Sequence, residues 1–379
     1  MLNSPKFSYW ERKHFFTECD LIVVGAGIVG YSTSLHYKQQ FPDAKILILE
    51  RGLLPSGSST KNAGFACFGS PTELYDDLKR FDKDVVWDTV AKRLEGLNYL
   101  QEIVGTEALS LKVNGSWDLI RESELDVKNE ILDILPEFNE NLKRVSGQDN
   151  VYSWDENTSS KFGFKGILGG FNNRLEGQID TSKMNAAYYA KIIENDIRVL
   201  FGIEALGIDS DENGCTTKTS IGDIKSDKVA ICTNGFAKQF LPKDDIAPAR
   251  AQVVITKPIE NLPIKGTFHY QMGYYYFRNI DNRVLFGGGR NLDFKGETTT
   301  NISTSELVIS KLKELLDAVI LPDTPYEIEH SWAGVMGVGD TKKPIIKEIQ
   351  PNVYCGVRLG GMGVAIGSQV GKELTVIMN

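Results

Sequence analysis

The sequence has few of the residues from which stapled, metal-bound or membrane-spanning proteins are built. Five cysteines, Cys19, Cys67, Cys215, Cys232 and Cys355, are spread over 379 residues with no Cys-x-x-Cys pair, so neither a disulfide framework nor a zinc site is legible. Free thiols in a reducing cytoplasm are expected. Only four histidines occur, His14, His36, His269 and His330. They are too scattered for metal-ligand spacing, and packing or surface roles are expected of them. No run approaches the roughly 20 apolar residues of a membrane helix. The first residues mix Lys6, Glu11, Arg12, Lys13 and His14 with aromatics, so neither a signal peptide nor a transmembrane segment is expected. Basic charge is in deficit too, 42 Lys and Arg against 50 Asp and Glu. A net charge of −8 gives no electrostatic reason to bind a polyphosphate backbone, and nucleic acid is not an expected partner.

What is present is core-forming material, 41% hydrophobic residues in a chain long enough for two domains. The run Leu21-Ile22-Val23-Val24 is followed by Gly25-Ala26-Gly27-Ile28-Val29-Gly30, a helical stretch to about Gln40, and a second run, Ile46-Leu47-Ile48-Leu49, ending on Glu50-Arg51. Continuous apolar runs suit strands buried on both faces of a parallel sheet, with the helix as crossover. Charged helical spacing covers Asp76 to Val104 and Glu122 to Leu142, with a hairpin expected around Asn114-Gly115 between them. A helix from about Ser182 to Asn195 restores the α/β pattern, and alternating strands and turns between Gln252 and Arg290 suggest an antiparallel sheet. The expected fold is α/β, a Rossmann-like domain with a parallel central sheet plus an inserted antiparallel-sheet domain. The boundaries fall at 1–80, 167–245 and 330–379 for the first, and 81–166 and 246–329 for the second. The aromatic segment Phe7-Ser8-Tyr9-Trp10-Glu11 has no reading beyond packing or a partner contact.

The glycine motif follows a strand, opens a helix and is followed by a second strand ending in an acid, which is its confirming context. Gly25 permits the tight turn, Gly27 leaves room for a pyrophosphate and Gly30 allows close helix–strand packing, while the helix N-terminus offers free N–H groups. Glu50, twenty positions beyond Gly30, is placed to accept hydrogen bonds from a ribose. An adenine dinucleotide is implied, and these features alone do not separate NAD from FAD. The discriminator is the downstream loop Gly57-Ser58-Ser59-Thr60-Lys61-Asn62-Ala63-Gly64-Phe65-Ala66, whose small residues and hydroxyls suit a path along a pyrophosphate and ribityl chain.

With Glu50-Arg51 before it and the Asn62-Ala63-Gly64 step at its end, this loop resembles the FAD-dependent D-amino acid oxidase superfamily. That group includes the glycine and sarcosine oxidases and the γ-glutamylputrescine oxidoreductases. Further similarities are Gly177-Gln178-Ile179-Asp180, the strand at Gly202 to Ala205, the Thr233-Asn234-Gly235 turn, Gly334, and Gly361-Met362-Gly363-Val364 at the start of the last helix. The resemblance implies bound FAD. Because Cys355 lies in a strand-like run and Cys67 just beyond the cofactor loop, neither is placed for a covalent link, and tight non-covalent binding is expected. The same resemblance puts Gly361 to Val364 beneath the flavin. A helix N-terminus there would stabilise charge on the ring during reduction. It also implies a substrate sheet at Tyr274 to Gly289, where alternation puts Tyr274, Tyr276 and Arg278 on one face as candidate pocket residues.

Two departures from the family pattern carry weight. Trp332-Ala333-Gly334-Val335-Met336-Gly337 has Met336 where relatives place a carboxylate-clamping arginine, a job suited to a bidentate guanidinium. Leu285 falls where some relatives have an oxygen-activating lysine. The first points to an amine or N-substituted amino compound rather than a free α-amino acid, with Arg250, Arg278, Arg290 or Arg358 as other sources of a guanidinium. Arg358, in place of a usual glycine, is expected to intrude on the pocket. The second leaves the electron acceptor, oxygen or another, open. The expected activity is hydride transfer from an amine-like small molecule to flavin N5, followed by imine hydrolysis. The alternatives are a hydroxy-acid or glycerol-phosphate oxidase on the same scaffold, which would need a base such as a histidine near the flavin, and a flavoprotein without activity.

Overall fold

The structure, a computed structural model, describes residues 7–379; Lys6 and the residues before it lie outside the described residues. Two eight-stranded sheets carry the fold. In the first, the strand Cys19–Val24 lies between Ile46–Glu50 and Gly222–Ile231, parallel to both. Arg198–Phe201 extends one side and Val353–Val357 the other, also parallel. Leu21, Ile22, Val23, Leu47 and Ile48 are fully buried, as strands covered on both faces require. Antiparallel strands Ala205–Asp211, Gly214–Thr219 and Ile345–Gln350 complete the sheet. The helices Ile28–Gln40, Thr181–Glu194 and Gly363–Ile377 pack on this part of the molecule. The N-terminal helix Tyr9–Phe15 leaves Tyr9 and Trp10 exposed, while Phe7 and Phe16 pack against the core below the sheet.

The second sheet runs, by residues, Ile328–Val338, Ala247–Thr256, Arg283–Gly288, Tyr275–Ile280, Thr267–Tyr270, Ser116–Arg121, Ile167–Asn173 and Tyr152–Asp155. It is antiparallel except where Thr267–Tyr270 meets Ser116–Arg121. Its core is aromatic: Phe268 and Phe277 stack 4.8 Å apart, with Trp117, Phe162, Phe164 and Phe286 around them.

Several sequence expectations are corrected here. Ile167–Asn173 and Ile328–Val338 pair into the second sheet, so the boundaries drawn at 167 and 330 assign the first of these strands and nearly all of the other to the wrong sheet. Both strands lie next to motifs of the cofactor domain in sequence, and only their hydrogen-bond partners reveal the assignment. No hairpin forms around Asn114-Gly115. Gly115 instead exchanges backbone bonds with Glu176 and Thr267, which leads the chain from the helix Thr106–Leu109 into the second sheet at Ser116. The helical stretch Asp76 to Val104 is two helices, Pro71–Leu78 and Lys83–Val104, separated at Arg80 to Asp82.

The long helix Lys83–Val104 crosses the last helix, Gly363–Ile377, at Gly96, where an added Cβ would strike the carbonyl group of Ala365. Gly96→Ala should therefore cost on the order of 1–3 kcal/mol, read as a fall in Tm. An unchanged Tm would show that the two helices do not pack in this way.

A cofactor cradle and its substrate-side wall

One cavity of about 620 Å3 runs from the glycine motif to the second sheet. At its nucleotide end the chain turns at Gly25, with φ +110°. A Cβ at Gly30 would collide with the Gly25 carbonyl, so that contact admits only glycine and Gly30 sits behind the wall. Gly27, at the N-cap of the helix Ile28–Gln40, brings no capping side chain of its own; Ser59 Oγ takes the Ile28 N–H, and the rest of the first turn is left to the cavity. Glu50 is held at the strand end, accepting from the N–H groups of Ala26 (3.2 Å) and Gly52 (2.9 Å) and from Ser56 (3.0 Å). The Arg51 guanidinium lies 3.8 Å over the Phe236 ring. Ala205 and Thr233 close this end, and the buried Thr233 hydroxyl has no partner among the described residues.

The loop after Glu50 forms the next wall. Ser59 Oγ accepts from Ile28 N–H (2.9 Å), and Ser58 donates to the Val335 carbonyl (2.6 Å). Asn62 donates to the carbonyls of Ser58 and Ser59 and accepts from Gly64 N–H within the loop, and it also accepts from the Thr181 hydroxyl (3.0 Å) at the start of the helix Thr181–Glu194. Ala63, Gly64, Phe65, Asn234, Gly334, Gly361, Met362, Gly363 and Val364 also line the cavity. The helix Gly363–Ile377 likewise starts without a side-chain cap, so a second bare N-terminus meets the same space. Two residues grouped with the site by sequence lie elsewhere. Thr60 is exposed and donates to the Pro55 carbonyl (2.6 Å), and Gly235 packs against the Met336 carbonyl group.

At the far end the substrate-side wall is made by Cys67, His269, Met272, Tyr274, Tyr276, Arg290 and Met336. Phe65 meets both His269 and Tyr276 edge to face. Tyr274 lies just before the strand Tyr275–Ile280, in the turn, so it reaches the cavity by a different route from Tyr276. Arg278 does not reach it. It is 2% exposed and donates to the carbonyls of Gly64 (3.1 Å) and Ile179 (2.7 Å). The two-residue alternation holds, but that end of the face is covered by the cofactor loop, and burial lowers the guanidinium to about 10. Arg358, at φ +64°, turns from the cavity to pair with Asp245 at 2.6 Å. Leu285 packs in a small apolar cluster with Ala63 and Val253.

Other groups on this wall gave no signal in the sequence. Glu73 is bridged by Arg93 (3.1 Å) and Lys342 (2.7 Å), and Lys342 also pairs with Asp77 (2.6 Å). Burial alone would raise the Glu73 carboxyl, but the two cations outweigh it and hold it well below the usual range. Cys67, Glu176 and His269, far apart in sequence, bring Sγ, a carboxylate oxygen and a ring nitrogen within 4.8 Å of one another. Burial pushes the Cys67 thiol well up, the Glu176 carboxyl up to about 7 and His269 down to about 4. All three shifts favour neutral forms, the reverse of what a bound cation asks of a thiol and a carboxyl.

These surfaces define a dinucleotide cradle, with two neighbouring helix N-termini directed at it, opening onto an aromatic substrate wall. The chain belongs to the FAD dependent oxidoreductase family, whose model matches residues 20–376. It is an FAD-dependent oxidoreductase of the D-amino acid oxidase superfamily. No curated protein matches the sequence. Among solved structures, glycine oxidase from Bacillus cereus ATCC 14579 is similar at 16% identity, with 95% of each chain covered and a TM-score of 0.74. L-proline dehydrogenase from P. horikoshii is similar at 17% identity, over 96% of this chain and 94% of that one, also at 0.74. Iminodiacetate oxidase from Chelativorans sp. BNC1 follows at 16%, 94% of each chain and 0.72. At these identities the likeness is one of fold. The cradle fits FAD on its own geometry: two uncapped helix N-termini, a loop of small residues between them, and an orphaned hydroxyl at Thr233.

Arg278 thus acts as a clamp between the cofactor loop and the second sheet. Arg278→Leu would leave the buried Ile179 carbonyl unpaired, at about 1–3 kcal/mol, while the Gly64 carbonyl keeps the Ile179 N–H. It should lower Tm and flavin retention together, whereas a selective rise in KM with both unchanged would restore Arg278 to the substrate site.

Proposed function

We propose that this enzyme oxidises a small amine or N-substituted amino compound that also carries an anionic group. The observation that carries the reading is Arg290. Of the four arginines that the sequence offered for a substrate guanidinium, Arg250 is paired with Glu297 at 2.7 Å, Arg278 is bound to backbone carbonyls and Arg358 is paired with Asp245; Arg51 and Arg80 also line the cavity, Arg51 against Phe236 and Arg80 against Asp76. Arg290 alone among the four stands on the cavity wall. Its Nε is buried without a partner among the described residues, and burial lowers its pKa. A partly desolvated guanidinium with no ion-pair contact of its own, its nearest carboxylate Glu297 being held by Arg250, favours an anion brought by the ligand.

Bound FAD supplies the hydride acceptor, and the chain supplies position and dryness. Arg290 holds the anionic end of the substrate. Tyr274, Tyr276 and Phe65 wall the reacting end with aromatic surface, which suits a cationic or neutral amine. Met336, on the same wall, places an apolar thioether beside Gly361, where an N-substituent would be received without a charge to desolvate. The imine product is hydrolysed by water once released. Non-covalent attachment of the flavin is part of this reading, since burial keeps Cys67 a protonated and poorly nucleophilic thiol.

The test is an anaerobic titration of the purified flavoprotein with amines, N-substituted amino acids and hydroxy acids, followed by the flavin absorbance. Bleaching by N-substituted amino acids is expected. Arg290→Gln should raise KM for acidic amines about tenfold to a hundredfold, consistent with loss of a charge-assisted hydrogen bond, with little change for uncharged ones. Bleaching by hydroxy acids alone would overturn the amine reading.

A further inference from the structure

Glu176 is a carboxyl group buried to 0% exposure with no ion-pair partner among the described residues. Its two oxygens are not equivalent. Oε1 accepts from the backbone N–H groups of Phe68 (2.7 Å) and Gly69 (2.9 Å), while Oε2 has no partner. A buried carboxyl without a cation is costly when ionised. Its proton belongs on Oε2, because Oε1 already receives two donors. The acceptors within 4.8 Å are Cys67 and His269. His269 makes no hydrogen bond within the described residues, and its ring stands on the cavity wall against Phe65. The imidazole therefore lies between the substrate space and a buried carboxyl that has no other way out.

We propose that His269 and Glu176, with Cys67 beside them, form a proton relay that strips the substrate ammonium and stores its proton inside the wall. This rests on the amine reading above. One N–H bond of the ammonium breaks as an N–H bond forms at the ring nitrogen facing the cavity. The proton on the opposite ring nitrogen then passes to Oε2 of Glu176, as the ionised carboxylate becomes a carboxylic acid. No electrons leave, the imidazole ends neutral, and the amine regains the lone pair that hydride donation from the adjacent C–H requires. One water or a side-chain rotation spans the separation. The store resets by the same route, since Glu176 has no exposed surface. The titratable and charged groups facing the cluster from neighbouring elements are Tyr152, Asp118, Glu73, Arg93 and Arg278. Arg93 is committed to Glu73 and the Phe68 carbonyl, Arg278 to two carbonyls, and the Tyr152 hydroxyl to the Gly69 carbonyl. None of them neutralises Glu176. Burial raises its titration, and hydrogen-bonding groups at Gly69, Phe68, Cys67 and Ser116 offset part of the rise, which leaves it near neutrality at about 7, where such a store is useful.

The experiment compares wild-type holoenzyme with Glu176→Gln and His269→Asn by infrared pH titration and by anaerobic stopped-flow reduction. The isosteric glutamine keeps the acceptor for Phe68 and Gly69. In the wild type a carboxylic acid C=O band should fade as pH rises through neutrality, and it should be absent from Glu176→Gln. The rate of flavin reduction by an amine should rise over the same pH range, because only ionised Glu176 accepts. Glu176→Gln should lose that limb while keeping the one set by the amine itself, and His269→Asn should slow reduction about a hundredfold, the scale of a lost general base. Bleaching with an unchanged near-neutral limb in Glu176→Gln, or a band that survives the substitution, overturns the relay alone. One bound metal ion per chain that is lost in Cys67→Ser also overturns it, assigning the cluster to a cation. No bleaching by any amine overturns the amine reading and the substrate end of the relay with it, while the infrared titration still decides whether Glu176 stores a proton.

Discussion

The close approach of Gly30 to the Gly25 carbonyl sets the geometry on which the rest of the molecule depends. Without a side chain in between, the helix Ile28–Gln40 lies against its strand with its first N–H groups directed at the cavity. The same placement lets this helix meet the last one, where Ser32 donates to the Ser368 carbonyl and Ser368 pairs with Tyr188, both at 2.7 Å. The two helices run in the same direction, Gly367 against Ile28 and Gly371 against Ser32, so the last helix begins beside the first, also without a side-chain cap. One contact between two glycines thus aligns two partial positive charges along a single ligand axis, one suited to a pyrophosphate and the other to a ring that gains negative charge on reduction.

Charges around the substrate wall fall into two groups, separated by whether the fold has already compensated them. Glu73, Arg93, Lys342 and Asp77 close on one another and tie the helix Pro71–Leu78 to the loop before Ile345–Gln350. Arg250 with Glu297 and Arg358 with Asp245 do the same elsewhere. Such pairs hold loops in place and have little left for a ligand. Arg290 and Glu176 are the exceptions, each partly or wholly desolvated; Glu176 has no cation against it, and Arg290 feels only Glu297, which is already paired with Arg250. In a water-excluding cavity an uncompensated group is costly to keep unless turnover uses it.

Much of the cofactor half was legible in the sequence, because its signals are local. The strand at Leu21 to Val24, the Gly25–Gly30 turn, the acid at Glu50 and the small-residue loop to Phe65 each follow from a few consecutive residues, and all of them come to the cavity or its support. The substrate half was less legible. Alternation correctly put Tyr276 and Arg278 on one face, but alternation does not say what covers that face. The loop at Gly64 and the turn at Ile179, distant in sequence, take Arg278 out of solvent. Arg358 was expected in the pocket and lies outside it, because Asp245 offers a carboxylate on the other side.

Backbone preference and hydrophobic period, which act over a turn or a strand, were enough to determine from sequence alone a Rossmann-like unit and its dinucleotide ligand, while the flavoenzyme family rested on the resemblance of the loop after Glu50. Tertiary structure alone decided which sheet received Ile167–Asn173 and Ile328–Val338, which arginine was left without a partner, and that Cys67, Glu176 and His269 share one corner of the wall. Those outcomes depend on which distant segments exclude water from which side chains, and no local window of the sequence contains both partners.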